Sequence, residues 1–153
     1  MPLNLNDEQA IDYSSSLPFL PFEAVGHYVL DILSYEDHEG YNGTGDLVTV
    51  KVLETDRTDV RVGQSYVFYF RTDVTGKAKA FAAARLRSFI RSAVGVPESE
   101  ARTFDANSAR KALLEEDLSK GGNKVRLIRR AKPGKGENAE KEYSDDRWEA
   151  FTA

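Results

Sequence analysis

The chain has 153 residues, 41% of them hydrophobic and 30% charged, which is enough to close one core and fits a single domain with a wetted surface. Its 25 acidic and 21 basic residues leave a formal charge of −4, which excludes a protein that coats nucleic acid with its whole surface. It has no cysteine, so disulfides and thiolate metal sites are excluded, and no apolar run of the length a bilayer demands; the expectation is a protein without a membrane role, in a reducing cytoplasm.

Residues 1–16 are polar, lack the form of a signal peptide and are expected to be a loose arm; residues 17–153 are expected to form the domain. "LPFLPFEAVG" carries two prolines and predicts an extended lead-in. "GHYVLDILSY" follows as strand one, with Tyr28, Leu30 and Ile32 toward the core. "EDHEGYNGTGD" is expected to be a glycine-rich loop. "LVTVKVLE" is strand two, with Val48, Val50 and Val52 inward and Thr49 and Lys51 outward. In "VGQSYVFYFRTD", strand three, alternation sends Phe68 and Phe70 to the core, while Val67, Tyr69 and Arg71 share the opposite face.

The period then changes. In "TGKAKAFAAARLRSFIRSAVG", Ala82, Leu86, Phe89, Ile90 and Ala93 make an apolar stripe at helical spacing, and Gly95 and Pro97 end the helix. Its cations, Lys77, Lys79, Arg85, Arg87 and Arg91, are expected on a solvated face. "DANSARKALLEEDLSKGG" is a second helix, capped by Asp105 and stopped at Gly121 and Gly122. "NKVRLIRRA" returns to strand period, "KPGKGENAEK" is a loop, and "EYSDDRWEAF" is either a closing strand around Trp148 or an acidic, aromatic-bearing tail. Three strands, helices, then two strands is the order of a mainly β, five-stranded OB-like antiparallel barrel with a helix between strands three and four.

The pieces "LPFLPFEAVGHYVLDI", "VGQSYVFYF", "GKAKAFAAARLRSFIRSAVG" and "NKVRLIRRAKPGKGENAEKEYSDDRWEAF" resemble small bacteriophage single-stranded-DNA-binding proteins with an OB fold. The resemblance covers most of Leu17 to Phe151 and is one of pattern rather than of a diagnostic motif. It implies a replication or recombination accessory that protects single strands in the cytoplasm of an infected bacterium.

Single-strand binding without sequence preference needs rings on which bases stack and cations that follow the backbone. Tyr69, Arg71 and Lys51 are the expected floor of such a groove. Arg126, Arg130, Lys132 and Lys135 are expected to grip phosphates, with Arg129 pointing the other way from Arg126 and Arg130. Tyr35 and Tyr41, in the first loop, are expected to close over bases. Against this, Glu36, Asp37, Glu39 and Asp46 in the same loop repel phosphate; as a calcium loop they fail, because the required glycine position holds Asn42. His27 and His38 lack metal-ligand spacing, and the Gly-Lys of "TDVTGKAKA" lacks the rest of a phosphate loop. No cofactor and no catalysis are expected. A different class of function, an OB-like module that binds a replication or recombination protein and never touches DNA, fits the acidic balance. An unpaired edge strand leaves room for a homodimer.

Overall fold

The computed structural model describes residues 17–21, 23–40, 43–133 and 142–151. Five strands, β1 (Gly26–Gly40), β2 (Gly43–Thr55), β3 (Ser65–Arg71), β4 (Lys124–Pro133) and β5 (Glu142–Ala150), form one sheet. Their order is β3-β2-β1-β4-β5, and all four pairings are antiparallel. Helix α1 (Ala78–Ala93), a 3-10 turn (Glu98–Thr103) and helix α2 (Ala106–Glu115) lie between β3 and β4. The mainly β, OB-like antiparallel arrangement with a helix after the third strand is therefore present, as an open sheet with β3 and β5 at its edges.

Those edges meet through side chains. Phe68 and Phe70 of β3 lie 5.2 and 6.2 Å, centroid to centroid, from Trp148 of β5, so the sheet curls on itself. Phe89 of α1 completes the cluster at 4.8 Å from both Phe70 and Trp148. The inward set is the one that alternation predicts: Tyr28, Leu30, Ile32, Val48, Val50, Val52, Phe68 and Phe70 are all buried. Trp148 also settles the last segment as a strand, since it is buried and pairs in register with Leu127.

Two expectations fail for identifiable reasons. The predicted loop "EDHEGYNGTGD" is largely strand, because β1 runs to Gly40 and β2 begins at Gly43, with the two glycines in register. The cationic face of α1 is only partly solvated. Lys77 and Lys79 are exposed, but Arg91 is buried and donates to the Val96 carbonyl. Arg87 donates to the carbonyls of Ala101 and Phe104, both at 2.7 Å, tying α1 to the 3-10 turn. Arg85 lies over the Phe70 ring, 4.7 Å from its centroid. Arginine serves here because a long apolar stem can cross core surface while its head finds carbonyls or a ring face. Asp105 caps α2 as expected, accepting from the Ser108 backbone at 3.2 Å, but the helix ends at Glu115, with Glu116 already extended, and does not run to the stop expected at Gly121 and Gly122. The Ser108 hydroxyl and backbone together hold the Asp105 carboxyl below the usual carboxylate range.

Arg129 of β4 points inward, opposite to Arg126, as alternation requires. It is paired with Asp146 of β5 through Nε–Oδ1 at 2.7 Å and Nη2–Oδ2 at 2.9 Å, and both side chains are 5% exposed. Its remaining Nη1 donates to the carbonyls of Leu20 and Pro21, at 2.9 and 2.8 Å, pinning the lead-in to the sheet. Removing one partner of such a pair leaves a buried charge unmatched, so Arg129→Met should cost about 3–5 kcal/mol in urea unfolding. The double change Arg129→Met with Asp146→Leu should recover a measurable part of that loss; a double variant no more stable than Arg129→Met alone counters this account.

Candidate nucleic-acid interface

The outer face of the sheet is set by a bulge. Ile32 pairs with Val50 and Ser34 with Thr49, so Leu33 is an extra residue in β1 and the alternation restarts after it. Tyr35 therefore turns into the core instead of reaching solvent. It is 4% exposed, stacks on Phe89 at 6.4 Å, and its hydroxyl donates to the buried Asp46 carboxylate. Arg110 of α2 closes the group with two 2.7 Å hydrogen bonds to Asp46. Burial, aided by Asp46, raises the Tyr35 phenol well above its ordinary value, and the hydrogen bonds to Asp46 raise the Arg110 guanidinium likewise. Tyr35 is thus a core residue and is not placed to close over bases. Asp46 is engaged by Arg110, which removes it from any calcium loop, and the described residues hold no cluster suited to a metal ion.

The same restart sends Ser34, Glu36 and His38 outward beside Leu47, Thr49 and Lys51 of β2 and Val67, Tyr69 and Arg71 of β3. The ladder pairs Leu47 with both Glu36 and Tyr69, Thr49 with Ser34 and Val67, and Gly45 with His38 and Arg71. Gly45 is glycine because the Tyr69 ring lies across it: a Cβ there would come within 2.6 Å of a Tyr69 ring carbon and of the Phe70 carbonyl oxygen. The Tyr69 hydroxyl donates to the Gly43 carbonyl at 3.1 Å, and His38 meets the ring edge-on at 6.2 Å. A half-buried ring is thereby held in one orientation at the surface. At Gly43, where φ is +133°, a side chain would collide with the Asp73 carboxylate.

Arg71 is exposed and bound to Asp73, Nε–Oδ1 at 3.1 Å. Asp73 also accepts from the Thr44 backbone at 3.0 Å, the larger cause of its lowered pKa. Lys51 is exposed at the other end of the face, in register with Asp31. Between them runs a groove of about 540 Å³ lined by Leu17, Phe19, Ser34, Glu36, His38 and Val67, among others. Phe19 is 60% exposed because the lead-in adds a single bridge to the free edge of β3, with the Val67 N–H donating to the Pro18 carbonyl at 3.0 Å.

Lys51, Tyr69 and Arg71 are thus brought to one face, as expected. Arg126 and Arg130 occupy the same side of the sheet on β4, beyond β1. Arg126 is half-buried and lies 5.7 Å from the centroid of Phe151, which Lys124 also covers at 5.2 Å. Arg130 is exposed opposite Asp145 in the ladder. Tyr41, Lys135 and the Lys132 side chain lie outside the described residues. Sequence reasoning missed Phe19, His38 and Phe151. The signal for His38 was available only to a reader who knew that Leu33 is bulged. For Gly43 and Gly45 it was their own spacing: two glycines at alternate positions mark one face of a strand where another group approaches closely.

No protein-family model matches the chain, and comparison with curated proteins finds no match.

Gly45→Ala should destabilise the fold by about 1–3 kcal/mol, because the Phe70 carbonyl is backbone and cannot step aside. Thermal unfolding followed by circular dichroism reads this directly, and an unchanged Tm contradicts the close approach at Gly45.

Proposed function

We propose that the protein binds single-stranded DNA without sequence preference, through the outer face of β1, β2 and β3, as an accessory of bacteriophage replication or recombination acting in the host cytoplasm. The observation that carries this reading is Tyr69. Its ring is fixed over Gly45 on the outer side of an OB-like sheet, with Lys51 and Arg71 along the same face. A ring immobilised before the ligand arrives loses little freedom on stacking. Arg126 and Arg130 extend cationic character onto β4, where a phosphate backbone leaving the groove meets them. The strands-two-and-three face is where OB folds take oligonucleotides. The reading needs no cofactor and no bond-making step, and it is the function that the pattern-level resemblance to phage single-strand binders implies.

A second reading is favoured by one observation. Phe19 stands exposed on the same groove as Glu36, and this face mixes its cations with Asp31, Glu36 and Asp73. An apolar ring among acids suits a basic partner protein of a replication or recombination complex, bound in place of DNA.

Fluorescently labelled oligo-dT separates the two. Binding should be present at low salt and fall steeply as salt rises, because displaced counterions drive it. Tyr69→Ala should weaken it by about 1–3 kcal/mol with little effect on Tm. Lys51→Ala with Arg126→Ala should flatten the salt slope by about two phosphate contacts. Absence of binding at low salt abandons the DNA reading and leaves the protein-interaction module.

A further inference from the structure

The groove on the outer face has unlike ends. One cross-strand row runs from Phe19 on the lead-in through Val67 of β3 and Thr49 of β2 to Ser34 of β1. The next row runs from Tyr69 through Leu47 to Glu36. All of these but Tyr69 line the groove of about 540 Å³. The floor is made of short or aliphatic side chains, with an exposed ring at the lead-in end and an exposed carboxylate at the β1 end. We propose that this groove is a pocket for one base of the bound strand, and that it favours a base carrying an exocyclic amine, with Glu36 as the acceptor. It rests on the single-strand reading and adds to it a base preference at one position of an otherwise sequence-tolerant strand.

Glu36 is the residue that decides the orientation. It is exposed and enters no ion pair among the described residues. An ionised carboxylate only accepts hydrogen bonds, and it repels phosphate. The backbone of a nucleic acid therefore has nothing to offer it, whereas the amine of a base does; a carboxylate accepting from the cytosine N4 amine is an established pairing. Uracil and thymine present an imino N–H set between two carbonyl oxygens, and a carboxylate meets those oxygens as one acceptor meets another.

The cations stand outside the groove and agree with this placement. Lys51 lies one row beyond Thr49, and Arg71, held by Asp73, lies one row beyond Leu47. Neither lines the groove. Phosphates are drawn to its two ends and a base to its middle. There the ring of Phe19, 60% exposed at the surface, gives the base an apolar face to lie against. His38, beside Glu36 on β1, is turned edge-on to Tyr69, so the pocket adjoins the ring on which the neighbouring base stacks. The volume is that of an ordinary small-ligand site.

The test is a matched pair of fluorescently labelled oligonucleotides, oligo-dC and oligo-dU of equal length, which differ at the base edge and nowhere along the backbone. At low salt and neutral pH oligo-dC should bind about fivefold to tenfold tighter than oligo-dU. An oligo-dC dimethylated at N4, with its amine protons gone, should fall to the level of oligo-dU. Glu36→Gln should bring the ratio of the two affinities close to one, because the amide serves an amine and a carbonyl alike. Phe19→Ala should weaken both by at least about fivefold with little change in Tm. Equal binding of oligo-dC and oligo-dU to the unaltered protein overturns the pocket. So does a Glu36→Gln variant that tightens both equally, which marks an acid that only repels phosphate, and so does a Phe19→Ala variant with unchanged affinities. In each of those cases oligo-dT binding that depends on Tyr69 leaves the single-strand reading standing. Absence of binding to oligo-dC, oligo-dU and oligo-dT alike overturns both, and saturable binding of a lysine-rich peptide, lost in Glu36→Gln, then assigns the groove to a basic protein.

Discussion

The meeting of Trp148 with Phe68, Phe70 and Phe89 holds two strand edges together where no ladder joins them among the described residues. An open sheet of five strands has two free edges, each a row of unpaired backbone donors and acceptors. Here the edges are drawn together by rings, which pack edge-to-face at close range and gain from that geometry beyond the area they bury. The curl imposed in this way shapes the rest. It gives β1, β2 and β3 a continuous outer surface, and it sets α1 across a seam that side chains alone must fill. Because Arg85 rather than an aliphatic residue stands over Phe70 there, the filling is incomplete and charged.

The outer surface depends on smaller departures from regularity. Leu33 breaks the alternation of β1, so one strand serves the core with Tyr28, Leu30 and Ile32 and then again with Tyr35. Without the extra residue His38 would face inward and Tyr35 outward. Gly45 then gives the Tyr69 ring a bed of bare backbone, and the Gly43 carbonyl fixes its far end. The orientation of one aromatic ring is thus determined by a bulge on one strand and two absent side chains on the next.

Much of the fold was legible because period-2 patterning is a direct readout of burial. Val48, Val50 and Val52, and Phe68 and Phe70, fall where the alternation sends them, and Arg126 and Arg129 separate onto opposite faces. Helix α1 was legible from its apolar stripe and from Gly95, whose φ of +79° is the left-handed turn that ends it. What escaped has two physical sources. Glycines at 40, 43 and 45 read as loop, so acidic residues that belong to a strand were taken for one, and the bulge at Leu33 changes parity without any compositional mark, so alternation from Tyr28 would not have turned Tyr35 inward. Arginine is ambiguous by nature: the same side chain is a solvated cation in Lys-like settings, a half-buried donor to carbonyls at Arg87 and a buried one at Arg91 and Arg129. Spacing alone does not separate the two. Of the candidate site, the shared face of Lys51, Tyr69 and Arg71 followed from alternation, while Phe19 and His38 depended on which edge the lead-in covers and on the bulge.

The two hydrogen bonds from Arg129 to the Leu20 and Pro21 carbonyls span 109 and 108 residues of chain. At ordinary translation speed the entry segment leaves the ribosome roughly 5–20 s before its anchor does. Strand β1 waits equally long for β4, its second neighbour in the sheet. Over that interval the nascent chain presents a half-built sheet with an open flank and an entry segment held only by its single bridge to β3, so it is β4 and β5 that commit Leu20 and Pro21 to their final position.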